Sequence, residues 1–186
     1  MGLDMYLSKK TYVKNWEHQS PEHQHQITVL KGGEPRQDIK PERISYIEEE
    51  VAYWRKFNAL HAWFVENCGG GEDTCQEMYV DEEKIKEILG ILKEVKEILD
   101  NSKKIKKVVT GFGGNEIEIE VYEDEEKIME LLPTQSGFFF GGTEIDEYYK
   151  DEVINSIEVF EVLLEELEKN IRNGIPTGDL YYQASW

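Results

Sequence analysis

The chain has 186 residues, 39% hydrophobic and 32% charged, a balance that fits a folded domain and excludes a disordered one. A count of 39 Asp and Glu against 21 Lys and Arg leaves a net charge of −18. That weighs against duplex DNA or long RNA as a partner, because phosphate backbones are held by clustered Lys and Arg, and it keeps the chain away from anionic membranes. No run of about eighteen apolar residues exists to span a bilayer. The opening Met1–Leu7 has Asp4 inside its only apolar run and no basic start, unlike a secretory signal, so a cytoplasmic location is expected.

The alternating segment 3–13 predicts an opening strand, and 14–25, rich in His, Gln and Glu, predicts a loop. Residues 26–31 predict a second strand, stopped by Gly32-Gly33. Residues 47–67 read as the strongest helix. Val51, Trp54, Asn58, His61 and Val65 form one stripe, while Tyr53, Phe57, Leu60 and Phe64 form another, which places this helix at the centre of the fold. Gly69-Gly70-Gly71 ends it. A second helix follows over 81–99, with Asp81 as N-cap. The lysines of 102–107 predict a solvated turn.

Alternating Ile, Val and Glu over 116–121 predict a hairpin with Val108-Val109, closed around Gly111–Asn115. A short helix over 124–132 ends at Pro133. The run Gly137-Phe138-Phe139-Phe140-Gly141 predicts a short buried strand with tight ends, since exposing each Phe forgoes roughly 1.5–3 kcal/mol. A long helix over 145–172 and a final strand over 179–186 complete the chain. The fold class expected is α+β: a mainly antiparallel sheet packed with three to four helices, in one domain over 1–186, with 81–107 as a semi-detached helical insertion.

Asn58 and His61 are polar groups on a face expected to be buried, so each needs a partner. Either neighbouring groups satisfy them, or they face a pocket with Trp54 as a stacking wall. Arg55 offers a bidentate donor for a phosphate or carboxylate, or an ion pair with Glu48–Glu50. Gln135, Ser136 and Thr143 are candidate hydrogen bonders. Gly137 and Gly142 would let a ligand approach the backbone, beside Phe138, Tyr148 and Tyr149. No Walker motif, nucleophile elbow or paired carboxylates stand out, so no catalytic residue is assigned and the reading leans away from an enzyme. Cys68 and Cys75, flanking Gly69-Gly70-Gly71, could close a disulfide or join a metal site, but zinc needs two more ligands that no nearby pair of His supplies, and two cytosolic thiols are most often reduced. No metal or other cofactor is expected.

Four blocks resemble a family of short, uncharacterised proteins carried by bacteriophages and prophages. They are the opening Met1-Gly2-Leu3-Asp4-Met5-Tyr6-Leu7, the Glu50–Phe64 segment with Tyr53-Trp54-Arg55-Lys56, the Leu131-Leu132-Pro133-Thr134-Gln135-Ser136-Gly137-Phe138-Phe139-Phe140-Gly141 run, and the closing Tyr182–Trp186. The resemblance transfers no catalytic residue. It implies a viral accessory protein acting in the host cytoplasm. One expectation is an anti-defence sponge that sequesters a small nucleotide-type signal. Here Trp54 and Tyr148 or Tyr149 would stack on the base, Arg55 and the Ser136-Gly137 backbone would hold phosphate, and Asn58, His61 and Gln135 would read polar edges. The first alternative is an acidic protein–protein inhibitor of a host factor. The second is a small nucleotide hydrolase using His61. A homo-oligomer is compatible with the many aromatics.

Overall fold

The structure, a computed structural model, describes residues 2–110 and 114–186. Period-two alternation builds its sheet. In β1 (Asp4–Tyr12), Met5 and Leu7 point into the core while Tyr6 and Ser8 point away. A small hairpin of β2 (Leu30–Lys31) and β3 (Glu34–Pro35) follows, between single 3-10 turns at Pro21–His23 and Pro41–Arg43. Then come β4 (Tyr46–Arg55), α1 (Asn58–Cys68), β5 (Met78–Val80), α2 (Glu82–Asn101), β6 (Lys104–Thr110), β7 (Glu116–Tyr122), α3 (Glu125–Leu131), α4 (Glu147–Arg172) and β8 (Asp179–Ser185). The main sheet runs β4-β1-β8-β5, antiparallel throughout, and β6 pairs with β7 as a separate hairpin. The fold is therefore α+β with a mainly antiparallel sheet, as its sequence predicts, with four α-helices among the described residues.

The helices bury one face of the sheet. Trp54 of β4 packs on Phe160 of α4 at 5.7 Å between rings, and Phe64 of α1 stacks on Tyr182 of β8 at 4.2 Å. Asp81 caps α2 by accepting from the Lys84 N–H, and Ile85, Ile88, Leu92, Val95 and Leu99 join the same core as the sheet. None of the described helices is long and apolar enough to cross a membrane.

Four local expectations need correcting. The segment 47–67 is a strand followed by a helix. The break falls at Lys56, whose φ of 63° takes the left-handed region that ends a strand or helix, at a cost of about 1–2 kcal/mol for a non-glycine residue. The second strand shrinks to Leu30–Lys31. The lysine-rich turn is instead the start of β6, because glutamates face it: Lys106 pairs with Glu118 across the hairpin at 2.6 Å and Lys107 with Glu125 at 2.7 Å. The closing turn predicted at Gly111–Asn115 lies largely outside the described residues. The Phe run is a loop turn, not a buried strand: Phe140 is buried, Phe139 half-buried, and Phe138 is 86% exposed.

Candidate functional site

Asn58 opens α1 and ties the 133–143 loop to it. Its amide nitrogen donates to the carbonyls of Phe140 (3.0 Å) and Gly142 (2.7 Å), and its oxygen accepts from the Gln135 N–H (2.9 Å). The space over the loop glycines is already filled. A Cβ on Gly137 would lie 2.7 Å from the Phe140 ring, and one on Gly142 would lie 2.6 Å from Glu144 Oε2. The close approach expected of a ligand is made by the protein's own side chains.

His61, one turn further on, is fully buried. Its Nε2 lies 3.0 Å from Asp73 Oδ2 and its Nδ1 lies 2.8 Å from the Tyr182 hydroxyl. A neutral ring satisfies both: Nε2–H donates to the carboxylate, and Tyr182 O–H donates to Nδ1. Burial holds the imidazole below its ordinary pKa, and the Asp73 carboxylate offsets this only in part. Trp54, 1% exposed, donates its indole N–H to Ser156 Oγ at 2.9 Å. Trp54 and His61 therefore wall no opening, and the expected convergence of Trp54, Asn58 and His61 on one cavity does not occur. Cys68 and Cys75 are free thiols, and burial pushes Cys68 up to about 11.

The remaining candidates scatter around the loop. Arg55 is exposed at the end of β4 opposite Asp4, and its carbonyl accepts the Tyr148 hydroxyl. Ser136 is exposed, while Gln135 turns its Oε1 inward with no partner among the described residues. Thr143 donates its N–H to Glu144 Oε2 and accepts from Thr134 Oγ1. Tyr149 is buried, with its hydroxyl on the Leu132 carbonyl at 2.9 Å. A cavity of about 110 Å³ lies between Lys56, Asn58, Thr134, Glu144, Asp146 and Tyr148. Pockets that enclose a drug-sized ligand hold roughly 300–1,000 Å³. Two carboxylates beside one ammonium also make it a poor seat for phosphate.

The sheet face away from the helices is different in kind. The register sets Tyr6 against Tyr53, Tyr12 against Tyr46, and Tyr79 against Tyr181. Their rings lie 5.3, 5.1 and 5.9 Å apart. Glu48 and Glu50 of β4 and Glu77 before β5 rim a trough of about 400 Å³ floored by Tyr6, Ser8 and Tyr181. Beside it, the Lys10 ammonium sits 5.0 Å over the Tyr181 ring and bonds Glu77. That side chain shows what the surface offers any cation: an aromatic face below and a carboxylate beside it.

Comparison with protein-family models, curated proteins and solved structures finds no match for this chain. The site therefore rests on its own chemistry. The sequence does not single out the tyrosine array, because the stripe pattern of 47–67 places Tyr53 on a helix. The available signal was the alternation of Tyr6, Ser8, Lys10 and Tyr12 in β1, which places all four on one face.

Proposed function

We propose that this chain is a non-enzymatic binding protein whose acidic, tyrosine-lined sheet face docks on a basic protein. Following the family resemblance, that partner is a host factor met in the host cytoplasm, and binding blocks it. The observation that carries the reading is the outer sheet face, where the Tyr181 ring and the Glu77 carboxylate already hold one lysine, Lys10, beside a trough that Glu48 and Glu50 also line. Tyr is enriched at protein interfaces because a rigid ring with a polar tip contributes contact area at low entropic cost. The net charge of −18 steers a basic partner towards it.

The nucleotide-type ligand has a weaker carrier, since Trp54 and His61 are sealed and the cavity beside Asn58 is small and acid-lined. The two readings separate by experiment. Immobilised protein should retain one dominant basic protein from host lysate at low salt, and Glu48→Lys with Glu50→Lys should release it while leaving the melting temperature within about 2 °C, as expected for exposed surface charges. Retention by the double variant, or a melting shift with a panel of cyclic and linear nucleotides, would contradict the docking reading.

A further inference from the structure

The open edge of β4 adds a specific docking mode to that reading, and the inference rests on it. In the order β4-β1-β8-β5, β4 pairs on one side only among the described residues. Val13 N–H bonds the Ser45 carbonyl at 2.9 Å, and Tyr12 is opposite Tyr46. Antiparallel alternation then turns the main-chain N–H and C=O of Tyr46, Glu48 and Glu50 away from β1. Residues 46–50 are all exposed, so this row of donors and acceptors is open.

The two flanks of that edge have distinct chemistry. Towards the outer face stand Glu48, Glu50 and the tyrosines. Towards the helices, β4 and α4 border a groove of about 410 Å³. Its apolar surface is Val51, Val159 and Val162, the last 65% exposed, and Glu49, Glu158 and Glu166 rim it. Lys9 bridges Glu49 at 3.0 Å and Glu166 at 3.2 Å, which leaves Glu50 and Glu158 without an ion pair among the described residues. A second copy pairing here antiparallel would crowd Glu48, Glu49 and Glu50 against their own kind, which disfavours self-association. A cationic strand meets the opposite situation on both flanks.

We infer that the partner docks by adding a basic extended segment, with alternating cationic and aliphatic residues, as a fifth strand along β4. Main-chain hydrogen bonds to the edge supply affinity, aliphatic side chains cover Val51, Val159 and Val162, and ammonium or guanidinium groups meet Glu48 and Glu50.

The test uses the full chain, labelled with nitrogen-15, and a synthetic peptide of alternating lysine and valine. Two further copies are N-methylated, one at every lysine and one at every valine. In an added strand only one of these alternating sets points its N–H at β4. One methylated copy should therefore bind at least about ten-fold more weakly and the other nearly as well as the parent, with amide shifts centred on 46–50. Equal binding by all three copies would mean attraction by charge alone; that outcome overturns strand addition and leaves the broader docking reading standing. No binding by any copy at low salt would overturn both. Sedimentation of the protein alone as a dimer that Glu48→Lys dissociates would assign the edge to a second copy, and would also overturn the inference.

Discussion

Asn58 fixes three main-chain groups of a loop that otherwise has little regular hydrogen bonding. Replacing it by Asp keeps the shape and turns a donor into a charge aimed at two carbonyls. Asn58→Asp should lose about 3 kcal/mol in denaturant unfolding, because the carboxylate oxygen that replaces the amide nitrogen is buried against two carbonyls with no donor to meet it. His61 gives the second prediction at this scale. Its folded pKa is lowered by burial, so the unfolded chain, with an ordinary value of about 6.5, binds the proton first. The stability from neutral His61 is present above that value and is lost as pH falls below it towards the lowered folded value. Unfolding free energy should drop as pH falls through about 6.5, and His61→Gln should show a shallower slope there. An unchanged slope would mean that His61 is not the group responsible.

At the scale of elements, α2 is predicted to open only with the whole core, since Ile85, Ile88, Leu92 and Leu99 lie within it. Leu92→Ala should cost about 2–5 kcal/mol and lower the single unfolding transition. Hydrogen exchange should protect α2 amides as strongly as those of β1, and independent early exchange of α2 would instead mark a detachable unit. Strands β1 and β8 and helices α2, α3 and α4 were legible because each carries one uninterrupted period of two or 3.6. The segment 47–67 was not. Tyr53, Trp54 and Phe57 satisfy a helical stripe as well as a strand, and the turn that separates the two elements uses Lys56, a residue with no turn signal. The site followed the same division. That Asn58 and His61 need buried partners could be read from their stripe; that the partners are Phe140, Gly142, Tyr182 and Asp73 depends on distant elements meeting. The Phe run misled because hydrophobicity predicts burial for each ring, whereas the turn buries Phe140 and leaves Phe138 outside.

Across the whole molecule, charge and shape act together. The helices occupy one face of a four-stranded sheet, while the other keeps its tyrosines and carboxylates towards solvent, with β4 as an acidic edge between that face and the α4 groove. Attraction between such a surface and a cation is screened over about 8 Å at physiological salt, so affinity should weaken as ionic strength rises. The most direct measurement is an amide shift map of the full chain titrated with the alternating lysine–valine peptide. The account predicts perturbed amides along Tyr46–Tyr53 and around Tyr6 and Tyr181, fading with added salt. Shifts gathered instead around Asn58, Thr134 and Tyr148, or none at all, would contradict it.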